Sequence, residues 1–154
     1  MPDNLTTSQR RRCMQSIRSR DTHPEILTRR FLHRLGFRFR LHAENLSGKP
    51  DIVLPRFKTA IFVHGCFWHN HTCSRAFLPK TRTDYWIPKL VRTRKRDIQS
   101  AKSLKKDGWT VITLWECEVE NYRTLAKRCR SLFLLREKLS RESIRLQKAS
   151  NRAI

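Results

Sequence analysis

Leu27, Phe31 and Leu35 recur at intervals of four behind Thr22-His23-Pro24-Glu25. That spacing lines one face of a helix, with Thr22 as its cap, Glu25 as capping-box partner, Pro24 in the tolerant first turn and Gly36 as the stop. Phe37, Phe39 and Leu41 then alternate with Arg38, Arg40 and His42, the period of a half-buried strand with a basic outer face. After a Ser47-Gly48 turn, Pro50-Asp51 opens the run Ile52-Val53-Leu54, closed by Pro55, and Ala60-Ile61-Phe62-Val63 follows. Two strands so closely joined pair antiparallel, which brings Asp51 and Val63 to one end of the pair. From Asp84 the positions Leu90, Arg94, Ile98, Ala101 and Leu104 repeat at helical intervals, with Pro88 near the first turn and Gly108 as the stop. Trp109 to Trp115 is nearly continuous in apolar and β-branched residues, which predicts a central strand. A last helix through Leu125, Cys129, Leu132 and Leu135 seals the core. The order helix, three strands, helix, strand, helix predicts an α/β fold with a mixed central sheet flanked by helices.

The two ends read differently. Residues 1–21 are polar and rich in Arg, and Met14 and Ile17 stand at helical spacing, which suits either an arm that orders on DNA or a short helix anchored to the core. Residues 139–154 read as a frayed basic tail. Between them, 22–138 forms one domain, the amount that 154 residues at 38% hydrophobic content supports.

Charge narrows the partners. Thirty-four Lys and Arg against 13 Asp and Glu give a net charge of +21, spread along the chain, which points to a polyanion. Nucleic acid fits better than a membrane, because no stretch approaches the roughly 18 apolar residues of a spanning helix and no apolar signal core follows the start. The five cysteines, odd in number, argue for a reducing, cytoplasmic setting, with Cys13 and Cys129 as free thiols.

The ten residues from His64 to Cys73 hold three histidines, two cysteines and the pair Phe67-Trp68. Thiolate and imidazole are the preferred ligands of a structural zinc, which takes four of them. Cys66, His71 and Cys73 supply three, with His69 able to replace His71 on spacing, and Cys117 after the last strand is the candidate fourth. A buried loop with satisfied histidines is the plainer alternative. Asp51, at the start of a buried strand, suits a hard cation such as Mg2+, with the Val63 carbonyl as a second oxygen, or else simply caps a turn. His69 or His64 can take a proton from water, and Asp97 can orient the imidazole. Together these describe metal-assisted phosphodiester hydrolysis. Phe67 and Trp68 either fill a local core or push between bases, which costs least at a mismatch.

Over roughly residues 8 to 135 the chain resembles the very short patch repair endonucleases, the Vsr type of bacterial mismatch nickase. The resemblance is carried by Met14 with Ile17, Asp21-Thr22 before Pro24-Glu25, Gly48 with Pro50-Asp51, and the block Phe62 to His69. It continues through His71 with Cys73, Thr81-Arg82-Thr83, Trp86 with Lys89, Arg96-Asp97, Gly108-Trp109 and Trp115-Glu116-Cys117. It implies a restriction-endonuclease-like core, a structural Zn2+ on Cys66, His71, Cys73 and Cys117, and a catalytic Mg2+ on Asp51 and the backbone carbonyl of Val63. His69 is then the base, supported by Asp97, and Glu25 assists through the metal's water shell. The implied substrate is double-stranded DNA, cut on one strand 5′ to the T of a T:G mismatch left by deamination of 5-methylcytosine. Phe67, Trp68 and Trp86 look like the major-groove wedge, Met14 the opposing contact and Lys89 a reader of the mismatch, with Thr93 and His64 also at the DNA. Val63 and Thr93 stand where the family's best-known form has Thr and often Asn, and Thr93 therefore bears on sequence context. The resemblance further implies a monomer in the bacterial cytoplasm at the nucleoid, a functional link to a cytosine-5 DNA methyltransferase, and a mismatch-repair protein as partner. Two other readings stand beside it, a nuclease of matched duplexes and a zinc-stabilised DNA-binding module without catalysis.

Overall fold

Ile52, Val53 and Leu54 are all buried, and Pro55, which has no N–H for a ladder, ends the strand they form and begins a short 3-10 turn, Pro55–Phe57. Lys58, at φ +42°, sends the chain back antiparallel to that strand. The structure, a computed structural model, describes residues 6–16 and 20–150. Its elements are α1 (Thr7–Ser16), α2 (His23–Arg34), β1 (Arg40–Leu41), β2 (Ile52–Leu54), β3 (Thr59–His64) and α3 (Thr83–Lys106). β4 (Thr110–Trp115), α4 (Glu116–Val119), α5 (Tyr122–Arg128) and α6 (Arg130–Ser150) complete the order.

The sheet runs β1-β2-β3-β4, antiparallel up to β3 and parallel between β3 and β4. Alternation along the strands sorts side chains to two faces. Ile52, Leu54, Ile61, Ile112 and Leu114 meet Phe31 and Leu32 of α2, Leu125 of α5 and Leu132 of α6. On the other face Ala60, Phe62 and Val111 meet Leu104 of α3. The result is an α/β layer structure with a mixed sheet between helices, as the element order predicts. Burying each of these large side chains contributes roughly 1.5–3 kcal/mol. Among the described residues no helix is long and apolar enough to cross a membrane.

Several local expectations are corrected. Only Arg40 and Leu41 of the Phe37–His42 alternation pair as strand, because β2 is short; Leu41 is exposed, and Phe37 turns into the core as coil. β4 is an edge strand rather than a central one. Its continuous apolar run reflects cover on both faces, not neighbours on both sides. Two of its main-chain groups are taken by side chains: Arg128 Nη2 donates to the Thr113 carbonyl at 2.6 Å, and the Trp115 N–H donates to Glu118 at 3.1 Å. Pro88 lies in the second turn of α3, and the inward face of that helix is Leu90, Thr93, Asp97, Ser100 and Leu104; Ile98 and Arg94 point outward. The last helix is divided at Cys129 into α5 and α6, and α6 stays helical to Ser150 where fraying is predicted. α1 occupies part of the N-terminal arm; Ile17 lies outside the described residues, as does the side chain of Met14.

Gly48 fastens the loop before β2 to α3. It holds φ +77°, and a Cβ there would stand 2.6 Å from Ser100 Cβ and 3.2 Å from Phe62 Cζ. Gly48→Ala is expected to cost about 1–3 kcal/mol of stability from strain and overpacking together. A lowered denaturant midpoint checks this; an unchanged midpoint would mean that the loop and α3 part freely.

Candidate active site and metal centre

β3 and β4 are parallel and end in register, His64 opposite Trp115, so the loops that follow them leave the sheet at one point. Asp51, at the start of antiparallel β2, reaches the same end. Here opens a cleft of about 860 Å³, whose lining includes Glu25, Asp51, Val63, His64, His69 and Asp97.

Asp51 Oδ2 accepts the Val63 N–H at 2.7 Å. Burial pushes its carboxyl up to about 6, the Val63 hydrogen bond pulls against that, and the charge of Glu25 adds to the upward push. A cation beside it would relieve the cost of ionising this group. Asp51 and the Val63 carbonyl are hard oxygen donors, a set that fits Mg2+ better than a soft metal.

His69 reaches into the cleft from the loop after β3 and pairs with Asp97 of α3, Nδ1 to Oδ2, at 2.5 Å. With Nδ1–H donated to the carboxylate, Nε2 of a neutral His69 is left as an acceptor. Burial pushes the Asp97 carboxyl up, but the His69 hydrogen bond and charge outweigh it and hold the group below its usual range. The His64 ring lies parallel to His69, centroids 3.7 Å apart at 4°. Burial, reinforced by the neighbouring His69, lowers its pKa to about 4, so His64 is neutral at pH 7.

On the other side of the same loop, the ligating atoms of Cys66, His71, Cys73 and Cys117 all lie within 4.8 Å of one another. His71, not His69, joins this group. Donors around a tetrahedral zinc stand roughly 3.3–3.8 Å apart, and Cys117 Sγ is 3.6 Å from His71 Nδ1. Burial, then the neighbouring sulfurs, pushes the Cys117 thiol up to about 12, and burial raises Cys66 as well. Cys73 is also raised by burial, yet its bonds to His71 and the Arg75 N–H prevail and bring it to about 6. Three sulfurs this close ionise together only around a cation, so the cluster can hold a metal. The His71 ring is fixed by stacking on Trp115, at 4.2 Å and 16°.

Phe67 and Trp68 pack outside both core clusters, on each other at 5.0 Å and against Trp86 at 5.2 and 6.1 Å. Lys89 Nζ lies 5.5 Å from the Trp68 ring centre, 5.3 Å from Trp86 and 5.2 Å from Tyr85. Thr93 follows on the same helix and lines the cleft. The structure thus brings the expected residues into three adjoining groups, with Met14 the one whose side chain is not described.

Some participants were not singled out in the sequence. Tyr85 bonds Lys89 through its hydroxyl at 3.1 Å, an i, i+4 pair that the helix spacing makes readable. Glu116, which entered only within the motif Trp115-Glu116-Cys117 and without a role, accepts the Cys66 N–H at 3.3 Å, a contact across the sheet that no local pattern predicts. Glu25 is not a simple capping-box partner: its carboxylate takes the Thr22 hydroxyl at 2.7 Å, the Asp21 N–H at 3.1 Å and Arg29 at 2.8 Å.

Comparison with known proteins gives the family. The family model described as DNA mismatch endonuclease Vsr matches residues 2–75, a span that contains Glu25, Asp51, His69 and three of the four clustered metal-type ligands. The type II nicking enzyme V.XorIIP of Xanthomonas oryzae pv. oryzae is 46% identical over 132 residues, covering 86% of this chain and 97% of the relative. V.NmeAIP of Neisseria meningitidis is 46% identical over 121 residues, 79% of this chain and 86% of its own length. The DNA mismatch endonuclease Vsr of Escherichia coli is 35% identical over 125 residues, 81% of this chain and 80% of its own. With 81–86% of its length matched at 35–46% identity, the chain belongs to the Vsr family of DNA mismatch endonucleases.

Proposed function

We propose that the protein nicks one strand of double-stranded DNA 5′ to the T of a T:G mismatch, by Mg2+-assisted hydrolysis, on a restriction-endonuclease-like core. The observation that carries this is the convergence of Asp51 and the His69–Asp97 pair in one cleft of a chain with net charge +21. Mg2+ at Asp51 and the Val63 carbonyl would supply charge neutralisation at the scissile phosphate and acidify a bound water. His69 Nε2 takes the proton of the attacking water, and Asp97 stabilises the imidazolium that forms. His64, stacked on the His69 ring and uncharged, keeps that ring from turning. Glu25 would accept from a water of the metal's shell. Cys66, His71, Cys73 and Cys117 hold a structural Zn2+ that ties the loop after β3 to the end of β4.

Mismatch preference fits the aromatic group. Phe67, Trp68 and Trp86 push into the stack from one groove, Met14 contacts the other side, and Lys89 and Thr93 read the opened pair, where unstacking costs least. The nicking named for the relatives supports cleavage of a single strand. A T:G pair arises when 5-methylcytosine is deaminated, which links the enzyme functionally to a cytosine-5 DNA methyltransferase, with a mismatch-repair protein as a further partner. We read the protein as a monomer acting at the nucleoid.

Strand-resolved cleavage of labelled duplexes carrying T:G or matched C:G, with Mg2+ or a chelator, tests the proposal. Nicking of the T strand alone, at the mismatch and with Mg2+, is the expected result; cutting of matched DNA, or binding without cutting, would overturn it. In the same assay Asp97→Asn is expected to slow nicking by about 10²–10⁴-fold with duplex binding retained. Cys117→Ala is expected to lose zinc and melt at lower temperature, whereas Cys13→Ala changes neither; metal analysis and thermal melts check both. Asp51 gives a pH signature. Its folded-state pKa of about 6 lies above the ordinary 3.8, so metal-free stability falls as pH rises between those values. Asp51→Asn should therefore stabilise the metal-free protein above pH ~6, by about 2–3 kcal/mol, and give no gain below pH ~4. Equal melting curves at both pH values would refute the burial argument.

A further inference from the structure

The geometry points to Arg29 as a positioning residue, which aims the Glu25 carboxylate and, through His42, steadies the main chain at Asp51; the inference rests on the metal-dependent nicking proposed above. Arg29 lies one turn after Glu25 on α2, with its side chain 15% exposed. Nη1 donates to Asp21 Oδ1 at 2.5 Å, and Nη2 donates to Glu25 Oε2 at 2.8 Å and stands 3.4 Å from His42 Nε2. Asp21, Glu25 and His42 gather closely enough to suggest a metal group, but the guanidinium already contacts all three and supplies the cation.

The consequences reach two acids of the cleft, Glu25 and Asp51. Arg29 and the Asp21 N–H fill Glu25 Oε2, and the Thr22 hydroxyl takes one acceptor position on Oε1. One acceptor position on Oε1 is left for a water in the cleft. His42, on the other side of Arg29, donates its main-chain N–H to the Asp51 carbonyl at 3.3 Å. Asp21 and His42 hold φ +55° and +48°, backbone states that persist only where the surroundings fix them. Arg29 Nε is buried with no partner among the described residues. A buried ion pair with a stranded donor is a poor source of stability: apolar side chains in place of the whole pair would serve that end as well, although removing Arg29 alone leaves the buried Glu25 carboxylate unpaired. What this cluster supplies is direction.

The test uses the full chain as Arg29→Met, Arg29→Lys and Asp21→Asn, beside Asp51→Ala and wild type. Mn2+ affinity is read by calorimetry, the single-turnover nicking rate on a T:G duplex at saturating Mg2+, duplex Kd in chelator, and the melting temperature. Arg29→Met is expected to lose about 10–100-fold in Mn2+ affinity and in rate, with duplex Kd within about twofold; Arg29→Lys recovers part of both. A folded Arg29→Met protein with unchanged Mn2+ affinity and rate would overturn the proposal, even if its melting temperature falls. If Arg29→Met does not fold, Arg29→Lys and Asp21→Asn decide: weakened Mn2+ binding and rate in both support the role, wild-type values in both overturn it. A wild type that does not nick overturns the reading of the reaction, and the Mn2+ titration of Arg29→Met still decides for Arg29; Asp51→Ala with full Mn2+ affinity overturns the site and the role of Arg29 together, because the Mn2+ is then not bound at Asp51.

Discussion

The parallel ladder between β3 and β4 is the constraint on which the site depends. Six residue pairs from Thr59–Thr110 to His64–Trp115 fix where both strands stop, so the loop that begins at Gly65 and the turn that begins at Glu116 leave the sheet side by side. Cys117 meets Cys66, His71 and Cys73 for that reason alone. The same alternation that sends Ile61 to the α2 face sends His64 to the α3 face, where His69 and Asp97 wait. A slip of one residue would turn His64 into the apolar core and carry Cys117 out of reach of its partners.

The cleft is arranged against its own stability. Burial raises Asp51 toward neutrality, three sulfurs crowd within ligand distance, and a buried arginine keeps an unused donor. Each is costly in a fold whose net stability is a small difference between large terms. Each also narrows the positions a charged group can take, which is what chemistry on a phosphodiester asks of a protein.

How much of this was legible in the sequence depends on what each signal reports. The Asp51–Val63 neighbourhood followed from two short strands on a tight connection, and the cysteines and histidines advertised a ligand cluster by type, although type and spacing left His69 beside His71, which the family resemblance and the geometry separate. The reading failed where function overrides periodicity. The inward face of α3 was sought through Ile98 and Ala101, whereas the helix turns Asp97 and Ser100 inward, because that face serves the cleft and the close approach at Gly48. β4 was sought at the centre because continuous apolar sequence reports cover above and below a strand and is silent about its flanks. Phe37 reads as strand by alternation, yet the core takes it as coil.

The exposed flank of β4 bears on how the molecule coexists with its neighbours. A strand edge with free main-chain groups is a template for pairing with another chain. Two protections operate here, mutual repulsion at net charge +21 and the side chains of Arg128 and Glu118 that occupy the Thr113 carbonyl and the Trp115 N–H. Repulsion is lent by the solvent: it fades in salt and vanishes where several molecules crowd on one polyanion. The two side-chain plugs are short-range and directional, and they persist under those conditions. When a polyanion has cancelled the charge, these two side chains still occupy the Thr113 carbonyl and the Trp115 N–H and deny them to a second chain.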